Sequence, residues 1–187
     1  RIDQDHLVAA ALLHDVGHGP LSHSMEPVFT EKFGLSHHIS TTRIITGNSP
    51  LGQEVSKIIA KYRLDKDRIL NLLQGSAHDK TGFALNNPIN LDTADAIIRT
   101  YQYTFSTAQR DSKTQGVLQP TKVIKALVEK EHTVLDQFWK LKNTVYNTFI
   151  HNKVNLFADY LTANYARNNQ VIKDKDFFLT DQEFAKK

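Results

Sequence analysis

At 187 residues the chain is long enough for one domain that buries about 70% of the surface its unfolded form exposes. It has no cysteine, which excludes disulfides and thiolate metal sites, so any metal must be held by His, Asp or Glu. The net charge of +3 suits anionic substrates but falls short of a nucleic-acid-binding surface, and no apolar run approaches the roughly 20 residues of a membrane span. With no signal peptide visible, a cytoplasmic enzyme is the default expectation. The first residue is Arg1 rather than methionine, so the start of the protein is expected upstream.

Residues 3–16 are predicted as the first helix. Asp3 is its N-cap, and Leu7, Ala10, Ala11 and His14 recur at i, i+3, i+4 and i+7, which puts His14 on the core-facing side. Gly17 and Gly19-Pro20 end this helix and turn the chain. Leu21 to Phe33 is expected to be helical in part, interrupted at Pro27. His37 to Thr46 reads as a helix ended by Gly47-Asn48. Ser49-Pro50 opens the next, with proline at its first position, leading into Val55, Ile58, Ile59 and Tyr62. Asp65 to Leu73 is a further helix, stopped at Gly75.

Residues 75–90 read as loop, 91–105 as helix and 106–119 as a polar loop. A helical pattern runs from Pro120 to about Asn152, divisible into two pieces, and another from Val154 to Ala166. Thr180 with Glu183 makes a capping box for a last helix. Val171-Ile172 and Phe177-Phe178 are the only hints of extended chain. The expected fold is therefore all-α, a single-domain bundle of about eight helices over residues 1–187, with 120–187 a helical extension packed on the same core.

One stretch stands apart. His14-Asp15-Val16-Gly17-His18-Gly19-Pro20-Leu21-Ser22-His23 holds three histidines and an aspartate in ten residues, and His37-His38 follow. A single histidine at a helix end is ordinarily a core residue or a partner of the helix dipole. Five of nine histidines within 25 residues have no packing reason, and the clustering favours a metal-assisted site. Mixed nitrogen and oxygen donors suit zinc, iron, manganese or nickel better than calcium. His6 cannot share an ion with His14, because eight residues of helix separate them by about 12 Å.

The ten-residue run resembles the signature of the HD-domain phosphohydrolases. Within them it is similar to the deoxynucleoside triphosphate triphosphohydrolases, whose pattern reads HD-(aliphatic)-GHGP-x-SH. Other HD branches, such as the cyclic-dinucleotide phosphodiesterases, typically carry lysine where this chain has His18. The resemblance implies an HD-type helical bundle, a divalent metal ion (Fe, Mn, Zn, Ni or Mg), a nucleotide or other phosphoester substrate and a homo-oligomer. Deoxynucleoside triphosphate hydrolysis to nucleoside and triphosphate is the expected reaction, with another HD phosphatase or phosphodiesterase activity, or nucleotide binding without turnover, as alternatives.

By the same resemblance the metal is held by His14, Asp15 and a distal Asp92, with Asp95 as companion. Read from the residues alone, Asp95 and Arg99 form an i,i+4 pair on a solvated face while Asp92 complements the helix start, with Ala96, Ile97 and Ile98 behind them. The family's remaining ligand, a histidine on a preceding helix, has no match, so it lies upstream of Arg1 or is lacking. A bound cation would lower the pKa of a water and neutralise phosphoryl charge, with Asp92 also orienting the water.

The resemblance further places His18 and His23 at the phosphates, Glu26 beside a histidine it steadies, and His37 as general acid, with His38 the other possible match. Lys142, Tyr146, His151 and Lys153 fall in the later helices that supply basic and aromatic groups to phosphates and sugar. Basic residues on a helix are otherwise simply solvated, and Trp139 with Leu135 and Phe138 reads as core. The chain departs from the triphosphohydrolase pattern after Asp92. Thr93, Asp95-Ala96 and Arg99-Thr100 stand where a lysine, an aspartate-tyrosine pair and an arginine-aspartate pair are usual, which removes a triphosphate contact and a sugar or base contact.

Overall fold

The computed structural model describes residues 4–75, 82–105, 118–169 and 172–187, together with the backbone of 2–3. The expected loop residues 76–81 and 106–117 and Val171, expected to be extended, lie outside the described residues, while Asp3, expected as a cap, already lies within the first helix. In chain order the helices are α1 (Ile2–Leu13), α2 (Ser22–Phe33), α3 (His37–Thr46), α4 (Gly52–Lys61) and α5 (Lys66–Gln74). Next come α6 (Phe83–Asn86), α7 (Leu91–Phe105), α8 (Pro120–Glu129) and α9 (His132–Val145), the last running into a π-helical turn at Tyr146–Ile150. α10 (Lys153–Asn168), a 3-10 turn (Asp174–Phe178) and α11 (Asp181–Phe184) complete the chain. The fold is all-α, with no strand among the described residues.

The chain forms two compact units, residues 1–76 with 157–187, and residues 77–156. The C-terminal stretch is thus divided, with 120–156 in the second unit and 157–187 in the first. In the first unit α2 supplies the fully buried Met25, Val28 and Phe29, which pack with Leu35, Ala163, Ala166 and Phe177. α1 lies on α5, and α3 on α4. In the second unit Ala94, Ile97 and Ile98 of α7 meet Val123 of α8 and Phe138 and Val145 of α9.

Local signals explain most helix ends. Ser36 accepts from the Ile39 amide at the start of α3, and Gly47 ends it in the left-handed region with φ 89°. Asp65 caps α5 by accepting from the Asp67 and Arg68 amides. The Thr180–Glu183 capping box at α11 forms as expected, with both reciprocal bonds made.

Several expectations are corrected. α1 stops at Leu13, so His14 lies in the following turn; among the described residues of α1, His6 and Ala10 are buried, while Ala11 is exposed. Pro27 does not interrupt α2. It forgoes only the bond to the His23 carbonyl, and burial of Met25, Val28 and Phe29 around it holds the helix. α4 begins at Gly52 rather than Pro50, because its start packs against the end of α3. A Cβ at Gly52 would lie 2.9 Å from Gly47 Cα and from the Ile44 carbonyl. Only Ile59 of its apolar residues is buried, and Ile58 and Tyr62 face outward. Residues 83–86 form the short α6 within the expected loop. Phe177-Phe178 are not extended: Asp176 folds back to accept the Lys173 amide at 2.9 Å and closes a 3-10 turn.

Candidate active site

The His14–Gly17 turn is clasped from α3. The Thr41 hydroxyl accepts from the Gly17 amide at 3.1 Å and donates to the His14 carbonyl at 3.3 Å. A Cβ on Gly17 would lie 2.3 Å from the Thr41 nitrogen and 2.4 Å from the His37 carbonyl. Glycine is therefore needed here for close approach, not to terminate a helix.

His14 Nδ1 donates to the Ala11 carbonyl at 2.8 Å, which leaves Nε2 as the nitrogen for a metal, the usual arrangement for a ligating histidine. That Nε2 lies 3.2 Å from Asp15 Oδ2, a separation two donors of one cation can adopt at bond lengths of about 2.0–2.2 Å. Asp15 Oδ1 in turn lies 3.5 Å from His18 Nε2. His14 and Asp15 therefore fit a divalent ion by donor type and by spacing.

Next to this pair three imidazoles gather. His18 and His37 stack with centroids 4.3 Å apart and planes within 12°, and His23 stands edge-on to both at 4.7 and 5.7 Å. Glu26, one turn along α2 from His23, organises them. Its Oε1 accepts from both the His37 amide (2.8 Å) and His37 Nδ1 (2.6 Å), and its Oε2 lies 3.3 Å from His23 Nδ1. Burial alone would raise the Glu26 carboxyl, but the His37 N–H donors outweigh it and hold the group below its usual range. The His18 imidazole is pushed below its ordinary value, first by burial and then by His37, against the opposing pull of Asp15. His18 Nδ1 is buried and has no hydrogen-bond partner among the described residues.

This orphaned nitrogen calls for a ligand atom. Donor atoms of His18, His23, Glu26 and His37 lie within 4.8 Å of one another, so this group too could hold a metal ion. Between His18 and His23 the backbone passes through Leu21 (φ 57°) and Ser22 (φ 43°), left-handed conformations costing a non-glycine residue roughly 1–2 kcal/mol each. A cavity of about 360 Å³ opens beside the turn, lined by His18, Gly19, Ile44, Leu51 and Phe177 among others.

The other histidines differ. His38 is exposed, its ring centroid 3.8 Å from that of His37. His6 is buried and its Nε2 accepts the Asp65 amide at 2.9 Å, which ties the start of α5 to α1 and engages that nitrogen structurally.

Asp92 stands exposed in the first turn of α7, in the second unit, where Asn90 caps the helix by accepting the Thr93 amide at 2.7 Å. Asp95 and Arg99 do form the i,i+4 ion pair, at 2.5 Å; behind them Ile97 and Ile98 are buried, but Ala96 is exposed. Lys142 Nζ sits between two rings, 4.9 Å from Trp139 and 5.2 Å from Tyr146. The π-helical turn, closed by the His151 amide on the Tyr146 carbonyl at 2.7 Å, sets the His151 ring edge-on to Tyr146 at 5.4 Å. Lys142, Tyr146 and His151 are thus adjacent, while Lys153 opens α10. Trp139 is not core: it is 49% exposed, because the helix turns Phe138 inward instead.

Sequence reasoning missed the Thr41 clasp. The only signal for it was a hydroxyl in the middle of a helix, and nothing local ties Thr41 to Gly17.

The HD domain family matches residues 1–97, just over half of the chain. The uncharacterized protein YwfO of Bacillus subtilis (strain 168) is 35% identical over 98 residues, covering 52% of this chain and 21% of that protein. The chain therefore spans about a fifth of the length of this relative. No solved structure matches. Family match and histidine site agree, and the chain belongs to the HD-domain family, whose members are in general metal-dependent phosphohydrolases.

Proposed function

We propose that the chain is the catalytic module of a metal-dependent phosphohydrolase acting on nucleotides, with deoxynucleoside triphosphates as preferred substrates cleaved to nucleoside and triphosphate. The observation that carries this reading is the His18–His37 stack, locked by Glu26 and adjoining the His14–Asp15 pair. His14 and Asp15 would hold the cation, which would supply Lewis acidity at the phosphoryl group and activate water. His18 offers a hydrogen bond to a phosphate oxygen through Nδ1, which has no partner among the described residues. His37, fixed at Nδ1 by an ionised Glu26, has Nε2 as its proton-exchanging nitrogen and protonates the departing oxygen. His23 binds a second phosphate oxygen, and Lys142, Tyr146 and His151 form, within the second unit, a basic and aromatic group suited to phosphate and sugar.

A second reading, hydrolysis of a phosphomonoester or phosphodiester, is favoured by Thr93 and Ala96, which stand where the triphosphohydrolases have lysine and tyrosine. A panel of nucleotides incubated with the metal-loaded protein, with products identified, separates the two. Release of inorganic triphosphate supports the first, orthophosphate or a cleaved diester supports the second. Bound metal with no turnover of any member would instead indicate a nucleotide-binding regulator.

A further inference from the structure

Residues 157–187 lie beyond the family-matched stretch, yet they share a unit with the histidine turn and meet it at three points. Asp181 Oδ1 accepts the Leu21 amide at 2.8 Å, across 160 residues of sequence. The Ser24 hydroxyl donates to Asp159 Oδ1 at 2.6 Å. Gly19 passes so close to Phe177 that a Cβ would fall 2.9 Å from its ring.

The first contact bears on chemistry. Leu21 is the N-cap of α2, but its side chain has no acceptor, and it and Ser22 hold left-handed backbone. The amides at a helix start lack partners within the helix, and the aligned peptide dipoles favour a carboxylate there. Asp181 is thus a cap for α2 delivered from the far end of the unit. Its own position is well determined. The Thr180–Glu183 box orients α11, with the Thr180 amide on Glu183 Oε2 at 2.8 Å. The preceding turn is anchored by buried Asp176, which pairs with Lys187 and accepts the Lys173 amide.

We infer that Asp181 is a positioning residue: its bond to the Leu21 amide holds the left-handed corner that sets His18 and His23 edge to face, with centroids 4.7 Å apart. The inference rests on the reading that these two rings meet the substrate, and its test includes a readout that does not. In the whole chain, imidazole proton–nitrogen spectra are compared for wild type, Asp181→Ala, Asp181→Asn and the surface control Asp174→Ala.

In Asp181→Ala the His18 and His23 ring resonances shift while those of His6 stay. On any hydrolysed nucleotide kcat/KM falls about ten- to a hundredfold, the scale of misplaced groups at the substrate. Asp181→Asn keeps an acceptor oxygen and restores both, and Asp174→Ala changes neither. Unmoved His18 and His23 resonances in folded Asp181→Ala, or an Asn variant as impaired as the Ala variant, overturn the inference. If Asp181→Ala does not fold, Leu21→Gly is added, since glycine takes the left-handed corner without strain. Near-native His18 and His23 resonances in the double variant support the inference, and displaced ones overturn it. Should no nucleotide be hydrolysed, the functional proposal fails, while the ring resonances still decide the role of Asp181.

Discussion

The imidazole group of the first unit and the Lys142 group of the second are assembled in opposite ways. His18, His23 and His37 are spread over two helices and the turn before them, and meet only because α3 packs against that turn and Glu26 bonds to two of them. Trp139, Lys142, Tyr146 and His151 lie within thirteen residues and meet through the spacing of one helix and its π-helical end. In the first, His18 and His37 are half-buried and stacked, with His37 bonded to a half-buried carboxylate, while His23 stands exposed at the edge. In the second, Lys142 and Tyr146 are half-buried while Trp139 and His151 are exposed, and cation–π contacts in such settings are worth about 0.5–2 kcal/mol each. A group fixed by tertiary contacts suits bond cleavage, whereas one built locally on a single helix suits binding, and substitutions in the two should therefore fail differently.

The largest effect is expected at the metal pair. Asp15→Ala should abolish metal content and lower hydrolysis roughly a thousandfold or more, since a Lewis acid supplies several kcal/mol, while helical circular dichroism is kept. Elemental analysis of protein purified without chelator checks it, and retained metal would count against the His14–Asp15 site. Next, His37→Ala should lower kcat by about a hundredfold or more with metal content unchanged, as loss of a general acid does. Glu26→Gln should show a smaller loss of the same kind, because it leaves His37 in place but removes the charge behind it. An unchanged rate in His37→Ala would remove its acid role.

In the second unit the split reverses. Lys142→Ala should raise KM about tenfold, the worth of one charge-assisted contact to phosphate, and leave kcat within about twofold. A kcat loss larger than the KM change would mean that the contrast between the two groups is drawn wrongly.

The smallest effect concerns acid stability. Burial would raise the Asp176 carboxyl, but Lys187 and the Lys173 amide hold it below its ordinary 3.8. A depressed carboxyl stabilises the fold above that value, and this contribution is lost as the pH falls through the lower, folded value. Asp176→Asn should therefore cost about 1–2 kcal/mol at pH 7 and flatten the acid dependence of urea unfolding below about pH 4, on the order of one group's titration. Wild type and variant losing stability in parallel over that range would refute the pairing.

Much of this molecule was legible in the linear chain. α3 and α7 run where the periodicity put them, because Gly47 and the Asn90 start are local signals, and the α11 capping box needs residues only three apart. Lys142, Tyr146 and His151 were likewise within reach of helical spacing. Other features were not. Pro27 reads as a breaker until burial of its neighbours is known, and Trp139 reads as core until the helix is seen to turn Phe138 inward instead.

The amino-acid sequence by itself determined that the chain is helical, where most helices begin and end, and that its histidines crowd one turn, because these follow from interactions reaching no further than a few residues. Only the tertiary structure decided which histidines face one another, why Gly17 admits no side chain, and that Asp181 caps α2. Those depend on groups from 11 to 160 residues apart, and such pairings are selected by packing of whole helices, not by any preference the residues carry locally.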